Sequence, residues 1–168
     1  MKRIHYPILL ACLLLAACGY RFAGGGRLPG GAESISVLMP ENRTAESGIQ
    51  TQLNSDIVYE FTRRESARIA PPENADAVLS GVIRTVQDTD IAHSGTSTSS
   101  QRRVTLSIDM QLESKNGEVL WRRRGLSDYE AYDVAANRSG TDLNRQAAIE
   151  RVSKRLAEAV YKSITDNF

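Results

Sequence analysis

The sequence predicts an α+β fold, a two-layer sandwich with two helices packed on one face of a four-stranded mixed sheet, in the order β-α-β-β-β-α. Three observations carry it. Ile49, Leu53, Ile57 and Phe61 recur every four residues, the stripe of an amphipathic helix. Val104, Leu106, Ile108, Met110 and Leu112 alternate with polar residues, and Asn116-Gly117 follows, the strongest short-range hairpin signal. Leu143, Ala147, Val152, Leu156, Ala159, Val160 and Ile164 mark a second helix.

Ahead of this domain the chain is built like a secretory signal. Lys2 and Arg3 lead an apolar run from Ile8 to Leu15, and small residues follow at a cut site. Leu15-Ala16-Ala17-Cys18 resembles the bacterial lipobox, and not the Ala-x-Ala of a plain signal. That resemblance implies diacylglycerol on the Cys18 thiol, cleavage before Cys18, and acylation of the new amino group. A transmembrane helix is too long for the space: the uninterrupted apolar run is about ten residues, against roughly 20 needed. A plain signal with a leftover thiol is the blander alternative. The expected organisation is a signal peptide over 1–17, an acylated cysteine and Gly-rich tether over 18–33, and one α/β domain over 34–168. Several acyl chains hold durably where one holds only marginally. Gly19 is not the Asp that retains lipoproteins of enterobacterial type in the inner membrane, so the expected location is the outer membrane, facing the periplasm.

Composition narrows the function classes. Without residues 1–17 the chain carries 19 basic and 20 acidic side chains, which offers nothing for bulk nucleic-acid binding. Its lysines are Lys115, Lys154 and Lys162; the other 16 basic residues are arginines, whose planar fork grips phosphate or carboxylate at two points. High genomic GC content explains the same bias. With Cys12 in the signal and Cys18 taken by lipid, no disulfide and no zinc site of His/Cys type is expected, and no cofactor beyond the acyl chains.

Taken in order, Gly19 to Gly31 holds six glycines and a proline, a tether. Ser34 to Met39 is a short strand stopped by Pro40. The first helix opens at Thr44, with Glu46 in its first turn. Its polar face carries Gln50, Asn54, Asp56 and Glu60 and lacks the basic character of a membrane-surface helix. Ala75 to Val86 is the second strand, with Gly81 as a bulge or close-packing point. Asp90 to Ser100 is Ser/Thr-rich and reads as a mobile loop. Arg102 to Glu113 and Glu118 to about Tyr129 form the hairpin, Asp128 to Asn137 a connector, and the last helix opens near Thr141.

The hairpin carries the candidate binding residues. Arg102 and Arg103 stand at its open end, and Arg122, Arg123 and Arg124 near its turn. Alternation sends Arg122 and Arg124 to one face and Arg123 to the other. One reading is an anion-binding face for lipid phosphate or carboxylate; the other is a solvated face whose arginines pair with Asp109, Glu113 and Asp128. His93 beside Ser94 lacks the third orienting group that nucleophilic catalysis needs, and Asp88 with Asp90 gives spacing without a cleft. No Gly-x-Ser-x-Gly motif is present, which argues against a hydrolase.

A resemblance runs through most of the mature chain: Cys18-Gly19-Tyr20-Arg21-Phe22, Leu28-Pro29, Pro40-Glu41-Asn42-Arg43-Thr44, Ala75-Asp76-Ala77-Val78-Leu79-Ser80-Gly81, Gly117-Glu118-Val119-Leu120-Trp121, and Asn144-Arg145 through Leu156-Ala157-Glu158 to Tyr161. In order and spacing these stretches resemble the LptE family of lipopolysaccharide-assembly lipoproteins. The resemblance implies a non-enzymatic plug inside LptD, a large outer-membrane β-barrel, with lipopolysaccharide as a second partner. The rival expectation is a periplasm-facing lipoprotein that activates a cell-wall enzyme or serves another envelope complex.

Overall fold

The computed structural model describes residues 27–94 and 98–166. Its elements are β1 (Ser34–Val37), β2 (Glu41–Asn42), α1 (Ile49–Arg63), β3 (Arg68–Ile69), β4 (Ala77–Ser94), β5 (Thr98–Ser114), β6 (Val119–Asp133) and α2 (Arg138–Thr165). The sheet is mixed and has six strands, where four were expected. The additional two are β2 and β3, of two residues each. Strand order is β3-β1-β4-β5-β6, with β2 also on β4. β1 and β2 lie parallel to β4 one after the other, at Ala77–Leu79 and at Val82–Ile83. Pro40, which has no N–H to give to a ladder, separates them.

β4, β5 and β6 form a long antiparallel meander. The stretch expected as a mobile loop from Asp90 to Ser100 is, over its described residues, a continuation of β4 and β5, paired as Asp90↔Arg102, Ala92↔Gln101, His93↔Ser99 and Ser94↔Thr98. A Ser/Thr-rich run has no apolar alternation, so nothing in its spacing marks it as strand. β6 runs to Asp133, so the connector to α2 shortens to 134–137.

Both helices start elsewhere than expected. Thr44 does not open α1. Asn42 Oδ1 accepts from the Thr44 N–H at 3.0 Å and from its hydroxyl at 2.8 Å, and Thr44 Oγ1 accepts from the Glu46 N–H at 3.2 Å. These side-chain bonds make a turn that competes with helix. α1 begins after Gly48, whose φ of 82° suits glycine. α2 begins three residues before Thr141, because the Asn137 side chain caps it by accepting from the Gly140 N–H at 2.7 Å.

The core lies between the helices and one sheet face. Ile49, Leu53, Ile57 and Phe61 of α1 and Val152, Leu156, Val160 and Ile164 of α2 are buried against Leu79, Ile83, Leu106, Ile108, Met110 and Leu112. Fully burying such a side chain contributes about 1.5–3 kcal/mol. Phe61 and Tyr161 join the helices edge-to-face, with ring centroids 5.2 Å apart. Leu143, expected in the α2 stripe, is 64% exposed. Leu28 and Pro29 are buried, and Gly30 lies against Leu120 of β6.

Candidate functional site

Register decides where each arginine points. Arg102 pairs across β6 with Tyr132 and sits on the helix-covered face with Asp90; its Nε donates to Asp90 Oδ1 at 2.8 Å. Arg103 is on the opposite, open face. Its guanidinium lies 4.4 Å from the ring centre of Tyr129, itself 54% exposed, and its Nε is shielded without a hydrogen-bond partner. Arg122 lies opposite Gln111 on the open face and donates to Gln111 Oε1 at 2.5 Å. Arg123 lies opposite the core residue Met110, on the other side. The five arginines therefore do not converge. Arg103 and Gln111 are eight residue steps apart along β5, roughly 26 Å at about 3.3 Å per step.

A tighter group forms nearer the turn. Arg84, Asp109, Gln111, Arg122 and Arg124, with Ser80, Gly81 and Val82, line an open trough of about 400 Å³. Arg84 is the extra residue where β4 shifts register between Ile83 and Thr85, so sequence alternation could not place it. Its guanidinium reaches Asp109 Oδ2 at 2.7 Å. Asp109 Oδ1 accepts from the Gly125 N–H at 2.8 Å. Gly125 follows Arg124 in a second bulge and has a φ of 63°, the left-handed conformation that glycine adopts without strain. That N–H, the Arg84 bond and the field of Arg124 hold the Asp109 carboxyl below the usual carboxylate range.

The acidic partners expected for the hairpin arginines are engaged elsewhere. Asp109 takes Arg84, and Glu113 accepts from Gln111. Asp128 takes Arg155 of α2 at 2.6 Å, and Glu130 takes Arg151 at 2.9 Å and Arg155 at 2.8 Å. Asp88, paired with Asp90 in sequence, accepts from Tyr132 and Arg145. Strand carboxylates pair with Arg145, Arg151 and Arg155 of α2 across the layer, whereas among the described residues Arg103, Arg122, Arg123 and Arg124 make no ion pair within 4 Å. Cys18 lies outside the described residues, and so does most of the tether. No helix among the described residues is long and apolar enough to cross a membrane.

The family model for lipopolysaccharide-assembly LptE matches residues 32–164, nearly the whole described domain. The chain belongs to the LptE family. Comparison with curated protein sequences finds no match. Among solved structures the LptE-family domain is similar to a lipoprotein B from Nitrosomonas europaea, with a TM-score of 0.63 at 11% identity over 88% of this chain and 90% of that one. A rare lipoprotein B from Shewanella oneidensis has a TM-score of 0.56 at 7% identity, over 79% and 94% of the two chains. A minor lipoprotein from Acinetobacter baumannii has a TM-score of 0.56 at 15% identity, over 80% and 92%. At these identities the likeness is one of fold.

Proposed function

We propose that this LptE-family chain is an outer-membrane lipoprotein, acylated on Cys18, that plugs and helps assemble the LptD β-barrel and assists transport of lipopolysaccharide to the cell surface. The family match over residues 32–164 carries the reading. It is a binding role and not an enzymatic one. A domain whose helix layer and open sheet face are both charged suits the lumen of a wide barrel, which is polar and stays either wet or plugged.

Of the five candidate arginines, Arg103 has the surroundings that best fit a sugar-phosphate headgroup. Its guanidinium is stacked on an exposed aromatic ring, and no carboxylate competes for it. Arg102, by contrast, is bonded to Asp90. The reading is tested by pull-down of the tagged full-length protein from its native outer membrane in mild detergent, with mass spectrometry of what stays bound. A stoichiometric large β-barrel, and a mature chain starting at acylated Cys18, are the expected results. A cell-wall synthase in place of the barrel overturns the plug role and favours the rival one. Arg103→Glu is expected to weaken lipopolysaccharide retention while leaving the barrel bound.

A further inference from the structure

The outer edge of β6 is closed by side chains. The Tyr129 N–H donates to Asp128 Oδ1 at 2.7 Å, and the Tyr129 carbonyl accepts from Arg155 Nη2 of α2 at 2.6 Å. The Asp133 carbonyl accepts from Asn144 Nδ2 of α2 at 2.9 Å. Nearer its start β6 is broken by the bulge at Gly125, and Gly30 lies against Leu120. β3, outermost on the other side, has two residues and leads into Pro71-Pro72, which carry no N–H. Short strands, bulges and covered backbone groups are the means by which a sheet edge resists pairing with another chain. One stretch of β4 lacks them. β1 and β2 pair with β4 at Ala77–Leu79 and Val82–Ile83, and among the described residues the Arg43 N–H makes the last backbone bond on that side, to the Ile83 carbonyl at 3.1 Å. From Thr85 to Asp90 β4 runs on in regular register with β5, between the shifts at Ile83/Thr85 and Asp90/Ala92. Both Tyr129 groups are engaged outside the ladder, so Thr105 opposite turns its own toward Gln87 of β4. Alternation then turns the N–H and C=O of Val86 and Asp88 away from β5, and among the described residues no strand pairs with them there.

We propose that β4 from Thr85 to Asp90 accepts an extended segment of a partner protein as an added strand, in line with β1 and β2. Resting on the plug reading above, the partner is the barrel, and the segment is a loop or terminal stretch of it folded into the lumen. The strands of a closed barrel wall are hydrogen-bonded on both sides and have no edge to lend. A plug meets the lumen wall on all its sides, so contact alone does not single out β4; a backbone ladder does. The stretch of six residues matches the usual length of a strand. Thr85-Val86-Gln87-Asp88-Thr89-Asp90 contains no Lys or Pro, which blunt an edge. Its two carboxylates are bonded within the domain, Asp88 to Tyr132 and Arg145 and Asp90 to Arg102, which offsets their repulsion of an incoming chain. β4 already takes two separate strands along this edge, so a third extends an existing ladder.

Amide hydrogen exchange of the full-length lipoprotein, alone in mild detergent and in its native complex, tests this. The Val86 and Asp88 amides are expected to exchange about tenfold or more slowly in the complex. The Ala131 amide is the control. It turns outward on β6 between Tyr129 and Asp133, so enclosure in the lumen without a new strand slows it as much as the β4 amides. Slowing of Val86 and Asp88 no greater than that of Ala131 overturns the proposal and leaves the plug reading intact. A photo-crosslinking residue at Gln87 or Thr89 is expected to label one continuous segment of the barrel protein outside its wall strands. Labels confined to wall strands, to lipopolysaccharide, to a second copy of this chain or to residues 18–26 overturn it. Val86→Pro removes an outward N–H and is expected to lower recovered barrel about fivefold relative to Val86→Ala, which keeps the N–H and loses comparable packing. Equal recovery from the two, with unchanged circular dichroism, overturns the pairing. Absence of the barrel from the unsubstituted protein removes the plug reading itself.

Discussion

The Tyr132 hydroxyl donates to Asp88 Oδ1 at 2.8 Å, although β6 and β4 are not neighbours and β5 runs between them. Burial, and then the bond to Asp88, push the phenol up to about 12. An unfolded tyrosine titrates near 10. The folded value is the higher one, so this contribution to stability is complete below about pH 10 and is lost as pH rises toward 12. Absorbance at the tyrosinate band should show a late step near pH 12. Tyr132→Phe should remove that late step and cost about 1 kcal/mol in urea unfolding. Absence of a late step would overturn the buried, Asp88-bonded state of this phenol.

Asp88 is also the hub for Arg145. That guanidinium reaches Asp88 at 2.9 Å and Glu46 at 2.7 Å, so it ties α2 to β4 and to the turn before α1. Both carboxylates pull its pKa upward against the cost of burying it. Arg145→Ala leaves two carboxylates without a cation and should cost about 2 kcal/mol or more. In a double-mutant cycle with Glu46→Ala the coupling should exceed about 0.5 kcal/mol. Additive losses would mean that the bridge contributes nothing.

Much of this architecture is legible in the chain, and the illegible parts have physical reasons. The α1 stripe and the Val104-to-Leu112 alternation follow from burial on one side of a periodic element, so spacing reveals them. β2 and β3 have two residues each and no pattern of their own; they exist because β4 and β1 offer edges to pair with. The sequence around the β4–β5 turn is a Ser/Thr run without apolar alternation, and it looks the same as a loop's. Arg84 entered the trough through a register shift, which no alternation rule anticipates. Alternation did separate Arg123 from Arg122 and Arg124, the part of the site that depends on one strand alone.

Gly81 faces the core side where β4 crosses Met110 of β5. A Cβ placed there would lie 2.2 Å from Met110 Sδ and 2.8 Å from the Asp109 carbonyl oxygen. The sulfur can swing away; the backbone oxygen cannot. Gly81→Ala should therefore cost about 1–3 kcal/mol, as overpacking in a filled core does. Shortening the neighbour should relieve only part of this, so Gly81→Ala with Met110→Ala should remain less stable than Met110→Ala alone. Equal midpoints for those two variants would show that the strand spacing is slack.

Asp76 and Asp109 contribute to the acid sensitivity of the fold, alongside Glu41, Glu130 and Glu158, whose carboxyls are also held low. Asp76 accepts from the Ser34 hydroxyl at 2.7 Å and from two backbone N–H groups, Glu33 and Ser34, which hold its carboxyl below the usual range. Asp109 is held low by the Gly125 N–H, Arg84 and Arg124. In the unfolded chain both return to about 3.9. Their folded values are the lower ones, so their contribution is complete above about pH 4 and is lost as pH falls through the depressed values. Urea midpoints should stay level from neutral pH to about 5 and decline below about 4. Asp109→Asn should lower stability at neutral pH and flatten the acid decline, because the substituted side chain has no proton left to take up. An acid slope as steep in Asp109→Asn as in the unsubstituted protein would show that Asp109 is not a source of the acid sensitivity.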